Sequence, residues 1–216
     1  HHVDHTVVGA TNLGPVPNYT FHNVAGDSTL QAYFANTAIT TQVTAVASAY
    51  RAFSVPSTFS NAAVSSVFAN LMPYDPVRWR LGHWEADDST YLEPSGLLST
   101  VVPGAGYWFI GLKDTTLVFT GTAIAEAQFN LPMLGGPVSG RGWTQFGSPF
   151  RFPLAISQLR LSIGANIPIT DPANNLTDRM IWEWNPVAAS YDSVHVLLPG
   201  RAYWLWRQSA TAVSLR

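Results

Sequence analysis

The chain has 216 residues, enough for one large domain or for two of about 100 residues that each bury a core. Only 11% of residues are charged while 12% are aromatic, eight of them Trp, which excludes global disorder. A net charge of −2 leaves no basic footprint for nucleic acid, and the lack of cysteine excludes disulfides, iron–sulfur clusters, thiolate zinc sites and cysteine nucleophiles.

No apolar run approaches the ~20 residues needed to cross a membrane, so no membrane span is expected. No signal peptide is visible either; a mature secreted chain would read this way, as would a piece of a larger protein.

Residues 1–28 read as an amino-terminal arm with strand-forming runs at Thr6-Val-Val and Tyr19-Thr-Phe-His. His1, His2 and His5, with Asp4, are the densest cluster of metal-capable groups. A free amino-terminal His can chelate copper through its amine and ring, as in copper-dependent polysaccharide oxidases. An ordinary polar terminus or a tag remnant reads the same way, so no cofactor is assigned.

A first β-rich unit is expected over 29–124. Its opening is Tyr50-Arg-Ala-Phe53-Ser-Val-Pro56. Thr58 or Ser60 is placed to cap a short helix carrying Ala63, Val64, Val67, Phe68 and Leu71. A tryptophan strand follows at Trp79-Arg-Leu-Gly-His-Trp84, then Tyr91. Val102-Pro103-Gly104-Ala105-Gly106-Tyr107-Trp108 leads into a further strand, and Thr116–Gly121 reads as the next.

A second unit, over 125–216, repeats that order. Trp143-Thr-Gln-Phe146-Gly-Ser-Pro149 answers the first opening at an offset of 93 residues. Leu154–Leu161 is the counterpart of the short helix. Trp182-Glu-Trp184 and Tyr191 answer Gly82, Trp84 and Tyr91 at an offset of 100, which places an insertion within 167–175. Leu198-Pro199-Gly200-Arg201-Ala202-Tyr203-Trp204 lies 96 residues beyond its first copy. The fold expected is mostly β: two tandem β-rich repeats, sandwich-like or barrel-like, each with one short helix.

The twice-written Pro-Gly-x-x-Tyr-Trp has a physical reading. Pro presets φ near −65° and Gly accepts positive φ, so Pro103-Gly104 and Pro199-Gly200 suit type II turns. Tyr and Trp then fall on opposite faces of the next strand. A structural role for this motif takes precedence over a direct binding role.

These motifs resemble a repeat of bacterial secreted and cell-surface proteins. Its opening is Gly-Trp-x-x-x-Gly-x-Pro, matched by Gly142-Trp143 through Pro149, and its close is Leu-x-Pro-Gly-x-Gly-Tyr-Trp. The first copy matches the close with Gly106 and departs at the opening with Tyr50 and Ser54. The resemblance spans about residues 45–216. It implies an extracellular or cell-surface, non-catalytic β module and carries no ligand residues.

Trp79, Trp84, Trp182, Trp184 and Trp206 are candidates for an aromatic platform that stacks sugar rings. The competing reading is that they fill two small cores. The carboxylates Asp87, Asp88, Asp171 and Asp178 read as turn residues. The function expected is therefore non-enzymatic and extracellular: structural, surface-layer, filament or adhesive. Self-association is expected through the amino-terminal arm or exposed strand edges. A carbohydrate-binding module is the alternative, with polysaccharide as its partner, and a copper-dependent polysaccharide oxidase built on His1 is the third reading.

Overall fold

A computed structural model of the chain describes residues 2–13, 18–22, 26–35, 38–124, 129–133, 140–163, 166–210 and 213–216. They are mostly strand, in several sheets, and none of these closes on itself among the described residues. The chain divides into two compact units, His1–Ala38 and Ile39–Arg216.

The first unit is a three-stranded antiparallel sheet. Strand His2–Val8 lies between Thr11–Asn12 and Leu30–Ala35. Thr6-Val-Val is thus in a strand, but Tyr19-Thr-Phe-His is not. The two rings alternate onto one side of the chain and pack on each other edge to face, with centroids 5.0 Å apart. That local contact replaces sheet pairing.

The second unit holds two hydrophobic cores. Around the first, strand Arg51–Ser54 begins a four-stranded antiparallel sheet that continues through Gly106–Gly111, Trp79–Glu85 and Thr90–Leu92. A two-stranded sheet, Ala38–Ala45 with Thr115–Thr122, supplies Val43, Leu117 and Phe119 to the same core. Period-two alternation sorts these strands. Leu117 and Phe119 are buried while Val118 and Thr120 face out.

Around the second core, Gly142–Gly147 begins a four-stranded sheet that continues through Ala202–Arg207, Ile181–Asn185 and Ser190–Val194. Facing it is a sheet ordered Leu131–Met133, Val213–Leu215, Arg160–Ser162, Asn166–Pro168. Met133, Leu161 and Leu215 from that sheet join Phe146, Ile181, Tyr203 and Leu205 in the core. The segment read as an insertion is not idle, since Ile169 is fully buried and Asn174 hydrogen-bonds to Ile169 O at 2.9 Å.

The registers of the two four-stranded sheets agree. Phe53 lies opposite Tyr107 as Phe146 lies opposite Tyr203. Gly82 lies opposite Trp108 as Trp182 lies opposite Trp204, and Trp84 opposite Tyr91 as Trp184 opposite Tyr191. Ser89 and Ala189, in corresponding turns, both have φ +49°.

The helical expectation needs correction. The first helix is a single turn, Val64–Val67, followed by a 3-10 turn Ala69–Leu71. Neither Thr58 nor Ser60 caps it. The Asn61 side chain accepts a hydrogen bond from Ala63 N at 3.0 Å, and Thr58 instead pairs with Thr122 across sheets. In the second half, Leu154–Leu161 is divided between a two-residue strand, a 3-10 turn at Ile156–Gln158 and the start of strand Arg160–Ser162. Eight residues cannot offset helix nucleation unaided. Here Ile156 N donates to His195 O at 3.0 Å and Leu161 pairs with Leu215, so tertiary partners decide the conformation.

The Pro-Gly turns follow from backbone geometry. Gly104 has φ +76° and Gly200 φ +78°, and the turns close through Ala105 N to Val102 O and Arg201 N to Leu198 O. The nearest atom to a Cβ at Gly200 would be Thr41 Cγ2, an ordinary contact at 3.5 Å. Gly200→Ala is therefore expected to cost only its backbone penalty, about 1–2 kcal/mol. Urea unfolding of the variant checks this, and an unchanged midpoint would refute it.

Candidate functional site

The core takes one face of each four-stranded sheet and leaves the other rich in indole. On the first sheet Tyr107 and Phe109 point inward, so Trp108 and Ile110 point outward; Trp79 and Leu81 point inward, so Arg80 and Gly82 point outward. On the second sheet Ile181 is core and Trp182 and Trp184 are partly exposed. The two outward faces meet.

The contacts between them are reciprocal. Trp84 Nε1 donates to Trp143 O at 2.8 Å, and Trp184 Nε1 donates to Tyr50 O at 3.2 Å. Trp84 packs edge-on to Trp204 at 5.8 Å, and Trp184 edge-on to Trp108 at 5.7 Å. Gly147 N donates to Gly104 O at 2.8 Å, and Ser54 N to Gly200 O at 3.2 Å. Each pair relates matching positions of the two halves, as a two-fold axis would.

The turn motif also gains a function. Val102 N donates to the Tyr107 hydroxyl at 2.7 Å, and Leu198 N to the Tyr203 hydroxyl at 2.6 Å. The buried tyrosine thus reaches back and fixes the residue before its own Pro-Gly turn. Burial pushes both phenols up to about 12, against the opposing pull of those backbone hydrogen bonds.

Two clefts open along the junction. One, of about 440 Å³, is lined by Trp84, Tyr91, Trp143, Trp182, Tyr191 and Trp204. Trp204 Nε1 is buried there and has no hydrogen-bond partner among the described residues. Its counterpart, Trp108 Nε1, donates at 3.1 Å to the Gln145 amide, oriented so that its nitrogen donates to Gly106 O at 3.2 Å. Burial also raises the Tyr91 and Tyr191 phenols.

The other cleft, of about 400 Å³, adds charge to its aromatic walls. Tyr50, Trp108 and Trp184 line it together with Arg80 and Glu93. Arg80 forms an ion pair with Glu93, which also accepts a hydrogen bond from the Tyr74 hydroxyl at 2.7 Å. The Arg80 guanidinium, aided by Tyr74, holds the Glu93 carboxyl below its ordinary range although burial opposes this.

The five platform candidates separate. Trp79 is core, stacked on Phe68 and Phe109. Trp84 and Trp182 line the larger cleft and Trp184 the smaller. Trp206 packs edge-on to Trp143 at 5.3 Å and is not among the residues lining either cleft. Pro103, Gly104, Pro199 and Gly200 form the turns that bring the halves together. Asp171 accepts a hydrogen bond from Ala173 N within its own turn. His1 lies outside the described residues, as do the side chains of His2 and His5. Among the described residues no group of three His, Cys, Asp or Glu is placed to hold a metal.

Sequence reading did not single out Arg80, Glu93, Gly82 or Gln145. Gly82 stands where the second copy has Trp182, and that mismatch was a signal available in the sequence. Comparison with protein-family models, with curated proteins and with solved structures returned no match, so the functional reading rests on the geometry of this junction.

Proposed function

We propose that residues 39–216 are two tandem copies of one β-rich unit, each a sandwich-like pair of sheets, and that the protein is a non-enzymatic extracellular subunit with a structural or surface-assembly role. The observation that carries this reading is the reciprocal junction. Matching residues of the two halves make matching hydrogen bonds and ring contacts, which is the pattern of an isologous interface within one chain. Such a junction joins two small units, each with its own core, into one block. The resemblance of the Pro-Gly-x-x-Tyr-Trp motifs to secreted and cell-surface repeats supports an extracellular setting.

The amino-terminal unit supplies the means of assembly in this reading. Among the described residues its strand Leu30–Ala35 is the outer strand of the three-stranded sheet, and Tyr19, Phe21 and Leu30 are exposed. An edge strand offers unpaired backbone groups to another chain. The full chain is expected to form large regular assemblies by light scattering and electron microscopy. A chain beginning at Ile39 is expected to stay a folded β-rich monomer. A full-length monomer at every concentration, or unchanged assembly after truncation, would overturn the proposal.

A further inference from the structure

The smaller cleft has chemistry that a purely structural junction does not need. From it we infer a carbohydrate-binding site that takes one pyranose ring of a polysaccharide against the ring cluster of Trp108, Trp184 and Tyr50, with Arg80 and Glu93 reading its hydroxyls. This goes beyond the structural role and does not depend on it. Three observations support the site.

The first is the pairing of aromatic walls with a charged end. The C–H face of a pyranose is weakly positive and apolar, and it stacks on the negative face of an indole or phenol. Its edge carries hydroxyls that both donate and accept. The Arg80 side chain is 54% exposed and pairs through Nε and Nη2 with Glu93, so a guanidinium and a carboxylate stand side by side at the cleft. A planar fork next to a carboxylate matches two neighbouring hydroxyls, one accepting and one donating.

The second is a difference between the two clefts. In the larger cleft Trp182 lies opposite Trp204; in the smaller, Gly82 lies opposite Trp108. The Tyr91 ring packs over Gly82, 3.4 Å from where a Cβ would lie, whereas an indole stands at that position on the other side of the junction. At the same 100-residue offset, Met180 and Ser193 stand for Arg80 and Glu93. Charge therefore lines one cleft and is absent from the lining of the other.

The third is size and rigidity. A volume of about 400 Å³ lies within the range of small-molecule sites and suits one or two sugar rings. The walls are held in advance, Trp184 by its bond to Tyr50 O and Glu93 by Tyr74 and Arg80, so little ordering is required on binding.

The test is affinity electrophoresis of the full chain through gels containing soluble β-glucan, xylan, galactomannan or starch. At least one polysaccharide is expected to retard the wild type. Gly82→Trp, which places an indole in the cleft at the position that Trp182 holds in the other, and Arg80→Ala are each expected to weaken retention at least tenfold, with near-ultraviolet dichroism showing an intact fold. Trp206→Phe, outside both clefts, is expected to leave retention unchanged. If Gly82→Trp fails to fold, Arg80→Ala decides the matter. Absence of retardation in every gel, or retention undiminished in Arg80→Ala or in folded Gly82→Trp, overturns the site.

Discussion

Gly147→Ala is expected to be among the most damaging methyl additions in this protein, lowering stability by about 3 kcal/mol, the upper end for inserting a methyl group into a packed core. The reason is the closeness of the two sheets at the centre of the junction. A Cβ on Gly147 would overlap Ser54 Cβ and Oγ and would come 2.7 Å from the Arg201 carbonyl oxygen. Ser54 cannot easily retreat, since it is fully buried and its hydroxyl donates to that same carbonyl at 2.8 Å. The two positions correspond in the halves, and the space accepts one side chain but not two. Thermal unfolding should show a fall of about 6–12 °C for a domain of this size. Adding Ser54→Gly removes one of the two obstructions and should recover part of the loss, while the Arg201 carbonyl withholds the rest. A wild-type melting temperature in Gly147→Ala would show that the faces do not approach as described. Strictly additive losses in the double variant would show that Ser54 is not the obstacle.

The legible part of this fold was what repetition and alternation encode. Trp182-Glu-Trp184 announces a strand with both indoles on one side, and the structure has them partly exposed on the outward face of their sheet. Pro-Gly followed by Tyr-Trp announces a turn and a strand, and the glycines carry the positive φ that such a turn requires. What escaped was decided at a distance. Nothing local says that Trp84 bonds to a carbonyl 59 residues away, or that Trp184 reaches Tyr50 across 134 residues. The choice between core and platform for the tryptophans could not be made from alternation, because a second sheet covering the outward face creates a third environment, a half-buried seam. Trp79 went to the core, Trp84 and Trp184 to that seam. The helix expected at Leu154 failed for a related reason. Eight residues have too little intrinsic preference to resist backbone partners supplied by His195 and Leu215. Arg80 and Glu93, thirteen positions apart, carry no local signal that joins them; the hairpin between them brings them together at one cleft.

Strong alkali is expected to unfold this protein through its two motif tyrosines. Tyr107 and Tyr203 are essentially inaccessible, and burial pushes each phenol up to about 12 from an ordinary value near 10. The unfolded chain therefore releases these protons first. The stability that the two protonated phenols contribute is fully present below pH 10 and is lost as pH rises from 10 toward 12. Each contributes a slope of about 1.4 kcal/mol per pH unit in that window, so the pair removes about 5 kcal/mol across it. That is comparable to the whole stability of a marginal domain. Urea unfolding should thus give a flat midpoint up to pH 10 and a steep decline above it, and tyrosinate absorbance at alkaline pH should show phenols that ionise only on unfolding. Tyr203→Phe separates the two contributions of this residue. At neutral pH it should cost about 1–3 kcal/mol, because Leu198 N loses its acceptor in a site that water does not reach. Above pH 10 it should lessen the decline, since one of the phenols raised by burial is removed. A variant with wild-type pH dependence, or a wild type whose tyrosines all ionise near pH 10 while folded, would show that these hydroxyls are not the buried anchors of the turns.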